Sequence, residues 1–203
     1  MTATSHTLVN SSLPPSPMAS LITIELTLDH EPLLQRFFEA NPAYFLAVQG
    51  EPAMPNEARE EIAGELPADL IYSRKWVVGY VGADGELVAM ANLLSDIFVP
   101  SVWNLSTFIV GTSRHGTGEA QGLYQSLENW AARNGAHWLR LGVVKGYERA
   151  ERFWLSRGFM QTRERSGYQI GRQVHVIRVM CKPLAGGTVA EYLSLVTRDR
   201  PEP

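Results

Sequence analysis

The chain has 203 residues, 45% of them apolar and 19% charged, with a formal net charge of -3, which is ordinary globular composition with length for one sizeable core. The near-neutral charge and the absence of a long Lys/Arg run leave no footprint for phosphate-backbone binding, so nucleic acid is not an expected partner. No stretch reaches the roughly 18 apolar residues of a membrane span and the start lacks a signal-peptide pattern, so a cytoplasmic protein is expected.

Residues 1–19 are rich in Ser, Thr and Pro and read as a disordered leader outside the fold. "LITIELTL" at 21–28 alternates as a strand does, and the helical spacing of Leu33, Leu34, Phe37 and Phe38 follows, broken near Asn41-Pro42. A short acidic helix between prolines comes next, with Asn56 as its N-cap. Two apolar runs around Ala83-Asp84-Gly85-Glu86 form a hairpin, and "VWNLSTFIV" at 102–110 is a further strand. From Gly118 the residues Ala120, Leu123, Tyr124, Leu127, Trp130 and Ala131 share one helix face, which Asn134-Gly135 closes. "HWLRLGVV" is then a strand, "YERAERFWLSRG" a helix, and two strands meet around Gly167 to Gly171. "TVAEYLSLVTRDR" adds a last helix, against the surface or a partner. The order predicts a mixed α/β fold with one central sheet and helices on both faces.

The single cysteine, Cys181, sits in an apolar run and reads as a buried hydrophobe, and the five histidines show no metal-ligand spacing, so no metal is expected. The junction at 111–118 is more informative. A strand ends, two glycines stand two residues apart, and a helix begins, leaving N–H groups without intrahelical acceptors. Gly116 and Gly118 remove the β-carbons that would hold a pyrophosphate away, although a plain permissive loop fits the glycines alone. Gly118 is followed by Glu119-Ala120 where a P-loop needs Lys-Ser/Thr, and Gln121 stands where the dinucleotide fingerprint needs Gly or Ala.

The stretch resembles the cofactor motif of the GNAT superfamily of acyl-CoA-dependent N-acyltransferases. Val110 is followed at the family's spacing by His115, Gly118 and Ala120, with His115 replacing the usual Arg or Gln. Downstream, Ala150, Phe153, Trp154, Gly158 and Phe159 match a second family segment, and the resemblance covers residues 20–184, leaving 185–203 as a C-terminal helix and tail. It implies a GNAT fold: a twisted, mostly antiparallel sheet whose parallel strands 102–110 and 138–144 splay apart. It also implies acetyl-CoA as co-substrate, with the pantetheine arm against Phe108, Ile109 and Val110 and the pyrophosphate on His115, Gly116, Thr117, Gly118, Glu119 and Ala120, beside Phe153. A primary amine of a small molecule then attacks the thioester directly.

The proton-handling groups depart from the family. Trp154 occupies the place of a frequent catalytic tyrosine, and an indole donates a hydrogen bond but is no proton source at neutral pH. Tyr147 stands where the motif has asparagine, and either brings a hydroxyl to the cofactor mouth or packs the helix. Asp96, at a strand end, is the carboxylate considered as base, with ordinary solvation as its alternative. Asn104 and Ser106 share a strand face from which they orient a water. For the acceptor the resemblance points to Phe37 and Tyr44, within an aromatic stripe whose helical spacing is more often that of core. Two other functions remain open, a non-catalytic acyl-CoA-binding module and a protein or peptide N-acetyltransferase, and a homodimer is compatible with each.

Overall fold

The computed structural model describes residues 13–201. One seven-stranded sheet runs through it in the order β1-β2-β3-β4-β5-β7-β6. The strands are β1 (Ile22–Glu25), β2 (Arg74–Val81), β3 (Leu87–Ser95), β4 (Val102–Val110), β5 (Trp138–Val144), β6 (Met160–Ile170) and β7 (Gln173–Pro183). Every neighbouring pair is antiparallel except β4–β5. The helices are α1 (Glu31–Ala40), α2 (Pro42–Val48), α3 (Glu57–Ala63), α4 (Glu119–Arg133), α5 (Glu148–Ser156) and α6 (Val189–Leu195). This is the mixed α/β order that the hydrophobic periodicities predict.

Alternation along the central strands builds two apolar layers. Trp76, Val78 and Tyr80 of β2 face α4, whose Leu123, Tyr124, Leu127 and Trp130 lie in the same core. Val77 and Val81 point the other way, onto Leu34, Phe37 and Phe38 of α1, Phe45 of α2 and Ala58 of α3. Gly79 has no side chain because a β-carbon there would come within 2.7 Å of Leu87 Cδ2 and 3.0 Å of Leu26 Cδ2. Among the described residues no helix is long and apolar enough to cross a membrane.

Three sequence expectations need adjustment. The first strand ends at Glu25, because Leu26 turns into the core and Thr27 opens a 3-10 turn over Leu28–His30. Asn56 precedes α3 but makes no side-chain cap, its Nδ2 reaching Glu60 at 3.4 Å instead. Of the leader expected over 1–19, residues 1–12 lie outside the described residues. Residues 13–19 run along α4: Leu13 and Met18 pack on its core, and the Ser126 hydroxyl donates to the Pro15 carbonyl. The last helix also belongs to the body, with Tyr192, Val196 and Asp199 buried.

Candidate active site

β4 and β5 pair only over Val102–Asn104 with Trp138–Arg140, and beyond that point they diverge. A bulge on the β3 side marks the same place, since Asn92 pairs with Thr107 while the next residue, Leu93, pairs with Leu105, leaving Ser106 exposed. Bulges bend a strand and break its ladder. The result is a cleft of about 370 Å³ walled by residues 105–110 of β4, 141–144 of β5 and, from α5, Ala150, Phe153 and Trp154. Backbone groups of β4 that a neighbouring strand would satisfy are left facing this gap.

At one end of the cleft lies the glycine turn. Gly116 and Gly118 adopt φ of +81° and +85°, and a β-carbon built on either would meet nothing within 4 Å. The Thr117 hydroxyl donates to the Arg114 carbonyl at 2.8 Å, which holds the turn. Among the described residues the backbone N–H groups of Gly116, Thr117, Gly118 and Ala120 have no acceptor. Four free amides at the start of a 15-residue helix make a cradle for an anion. The His115 ring spans the entrance: Nε2 donates to the Val110 carbonyl at 2.9 Å, so Nδ1 accepts from Arg149 Nη1 at 2.8 Å. Arg114 pairs with Glu119 at 2.7 Å on the outer side of the turn.

Aromatic rings line the middle. Phe108 stacks on Phe153 at 6.1 Å, and Trp154 sits at 5.8 Å from Phe108 and 5.4 Å from Phe159. Trp154 is thus a packing element of the wall. Tyr147, at the N-cap of α5, lines the cleft.

At the other end, Tyr44 and Val48 of α2 meet Ile170 and Ile177 of the β6–β7 hairpin. The hairpin tip is clasped to the end of α2. His175 Nε2 donates to the Val48 carbonyl at 2.7 Å, Arg172 N to the Gln49 carbonyl at 2.9 Å, and the Arg172 guanidinium pairs with Glu51 at 2.8 Å. Gly171, at φ +56°, makes this approach possible, because a β-carbon would lie 2.4 Å from Gln49 Cβ.

Of the residues singled out in the sequence, Phe108, Ile109, Val110, His115, Gly116, Ala120 and Phe153 come together in the cleft, and Thr117, Gly118 and Glu119 complete its turn. Tyr44 and Ser106 also line it. Phe37 does not: it is buried between α1 and the sheet. Asn104 is buried at the apex of the splay, where Oδ1 accepts from Arg140 at 2.8 Å and Nδ2 donates to Ser106 at 2.9 Å. Asp96 lies away from the cleft. It sits before Val102, where β4 is still paired with β5, and its carboxylate takes the Ser101 N–H at 2.8 Å to hold a tight loop. Cys181 is buried in a separate cluster with Trp138 and Tyr192, and burial pushes its thiol up to about 12.

Three residues that the sequence did not single out as site candidates belong here. Arg149 braces His115, and Thr107 lines the cleft. Glu61 of α3 accepts from Asn92 Nδ2 at 2.7 Å, and burial raises its carboxyl above the ordinary carboxylate range. The available signal for Glu61 was its place between Ala58 and Ile62, three residues after one and next to the other on the inward stripe of its helix.

A sequence model described as the acetyltransferase (GNAT) family matches residues 30–159. No curated protein sequence matches significantly. Among solved structures, the chain is similar to an acetyltransferase from Thermus thermophilus, at 22% identity and TM-score 0.64, over 81% of this chain and 97% of that one. It is also similar to spermidine N-acetyltransferase from Vibrio cholerae in complex with CoA and spermine, at 14% identity and TM-score 0.61, over 82% and 96%. The ribosomal-protein-S18-alanine N-acetyltransferase from Escherichia coli gives 14% identity and TM-score 0.58, over 83% and 96%. At such identities the likeness is one of fold.

Proposed function

The chain belongs to the GNAT acetyltransferase family, and from that premise we propose that it moves the acetyl group of acetyl-CoA to the primary amine of a small molecule. The cradle fits the co-substrate: the free amides of Gly116 to Ala120 suit a pyrophosphate, with Arg149 adding positive charge beside them. The open edge of β4 at Phe108 to Val110 suits an amide-bearing arm laid along it as a strand would be. Acetyl-CoA supplies an acyl group activated as a thioester, and a backbone N–H near Phe108 is suited to the oxyanion that forms on attack. The chain's one thiol, Cys181, is buried away from the cleft, which supports direct attack by the amine over a cysteine-bound intermediate. Tyr147 brings a hydroxyl to the cleft wall and takes the place of the missing tyrosine as proton donor to the leaving sulfur.

The observation that carries the choice of acceptor is the clasp between the β6–β7 tip and α2. It bridges the end of the cleft away from the glycine turn, which suits a small amine and obstructs an extended peptide lying across the site. Thiol release should be followed with acetyl-CoA and spermidine, short alkyl diamines or a peptide with an N-terminal alanine. Release with the small amines is expected; release with the peptide alone would overturn the small-molecule reading, and none with any amine would overturn the transferase reading.

The clasp makes its own prediction. Gly171→Val forces a β-branched side chain onto Gln49 at a left-handed φ that by itself costs about 1–2 kcal/mol, so the hairpin tip must move off α2. KM for the small amine should rise about tenfold, equivalent to ~1.4 kcal/mol, while acetyl-CoA affinity by calorimetry stays at the wild-type value.

A further inference from the structure

Next to the acceptor half of the cleft, α3 carries a carboxyl into the protein. Ala58 is fully buried and Ile62 packs on the same apolar layer, so Glu61, on the stripe they define, is drawn inward with them. Asn92 of β3 holds its Oε1 at 2.7 Å, and Thr107 of β4 stands directly opposite Asn92 in the β3–β4 ladder, which puts its side chain on the same face, beside that carboxyl. Tyr44 faces it from α2, Glu57 from its own helix and Lys75 from β2, with Tyr147 beyond Tyr44. Thr107 and Tyr44 are cleft-lining residues, so one hydroxyl separates Glu61 from the cavity. The cluster is also short of donors: Asn92 is 7% exposed, and its Oδ1 has no partner among the described residues. Such a cluster gains by taking up a proton.

We propose that Glu61 receives the proton that the acceptor amine must lose before it attacks, passed through the Thr107 hydroxyl. This rests on the amine-acetylating reading above. The acceptor arrives as R–NH3+. One of its protons moves to Thr107 Oγ1 as the proton already on that oxygen moves to Glu61, which becomes neutral. The freed lone pair forms the N–C bond to the acetyl carbonyl carbon, and the C–S bond breaks with its electron pair on sulfur. Tyr147 gives its proton to that sulfur, which leaves as the thiol, a second proton from the nitrogen restores the Tyr147 hydroxyl, and the third stays on the amide. Glu61 then returns its proton to solvent on the half-exposed Lys75 side. Thr107 touches the reacting amine; Glu61 is the positioning residue and proton sink behind it.

The electrostatics suit this role. Burial raises the Glu61 carboxyl, Glu57 adds to the rise, and the hydrogen bond from Asn92, the neighbouring Thr107 hydroxyl and the charge of Lys75 oppose it. A carboxylate lifted toward neutrality is a better match to an ammonium than an ordinary one. Burial lowers Lys75 in turn, with Glu61 opposing that fall.

Two measurements test the assignment. With the best amine of the panel, Glu61→Gln should lower kcat about a hundredfold, leave acetyl-CoA affinity unchanged, and abolish the limb of the kcat profile that rises with pH as Glu61 ionises. Glu61→Asp should recover part of both, and Thr107→Val should reproduce the loss of kcat without removing a charge. A Glu61→Gln variant that keeps the wild-type kcat and limb overturns the proposal. Separately, the protonated-carboxyl stretch in the wild-type minus Glu61→Gln infrared difference should titrate at a midpoint well above the usual glutamate value of about 4.3. A midpoint at or below that value overturns the proposal even where no amine turns over, an outcome that by itself sinks only the amine-acetylating reading.

Discussion

Gly118→Trp is expected to abolish acetyl-CoA binding while leaving the fold nearly as stable. At φ +85° any residue with a β-carbon carries a strain of about 1–2 kcal/mol, which a domain of this size survives. Nothing lies within 4 Å of the β-carbon position, so the new side chain leaves the backbone into open space. It fills the space over the amides of Gly116 to Ala120 that have no acceptor. The dissociation constant from calorimetry should rise at least about a hundredfold, equivalent to ~2.8 kcal/mol. Gly135→Trp is the matching control: its φ is +97°, its β-carbon position is equally open, and it stands beyond the opposite end of α4. If the control binds acetyl-CoA normally and Gly118→Trp does not, occlusion of the cradle is the cause. Normal binding by Gly118→Trp would remove the pyrophosphate from this turn.

Why the turn was legible in the sequence and the half-buried Glu61 carboxyl was not has a physical explanation. A phosphate cradle is made of backbone, so its trace in sequence is the glycines that clear it, and these stand at fixed spacing from the helix they open. The splay of β4 and β5 was equally accessible, though only through the resemblance, since periodicity says nothing about where a ladder stops. Proton-handling groups are made of side chains brought together by tertiary packing. Asp96 looked exposed at a strand end, and it closes its own loop at the wrong end of β4. Glu61 looked like one more charge on an acidic helix, because "EAREEIA" places three glutamates within seven residues. Burial of one of them depends on Asn92 and Thr107, more than 30 residues away in sequence. Phe37 and Tyr44 show the same limit. Both are aromatics of the first helices and both pack on the same apolar layer, yet only Tyr44, beyond the break at Asn41-Pro42, also lines the cleft.

Asp199→Asn is expected to cost more stability than any substitution in the cleft. The Asp199 carboxylate is fully buried and anchors four groups: Arg140 Nε at 2.6 Å and Nη2 at 3.3 Å, Arg165 Nη2 at 2.9 Å, and the Tyr192 hydroxyl. Two cations share this one anion, and the side chain of Arg140 is only 13% exposed. Replacing the carboxylate by an amide leaves a buried guanidinium without its counter-charge, which typically costs about 3–5 kcal/mol. For a domain of about 200 residues that is a fall in Tm of about 6–20 °C. Arg165→Ala, which removes the more exposed cation and keeps the Arg140 pair, should cost less. The pH dependence has a definite sign. Burial raises the Asp199 carboxyl, but the bond and charge of Arg140, the Tyr192 hydroxyl and Arg165 outweigh it and hold it below the usual aspartate range. Its contribution is therefore present at neutral pH and lost as pH falls through the lowered folded-state value. Thermal melts across that acid range should show a stability loss in the wild type that Asp199→Asn lacks. The network also reaches the apex of the cleft, since Arg140 Nη1 donates to Asn104 at the last paired position before β4 and β5 part. A variant that retains its fold should therefore bind acetyl-CoA more weakly than its global stability accounts for, because the apex from which the cleft opens has lost its brace. A Tm within about 2 °C of wild type would show that Arg140 finds other partners, and that the apex does not depend on Asp199.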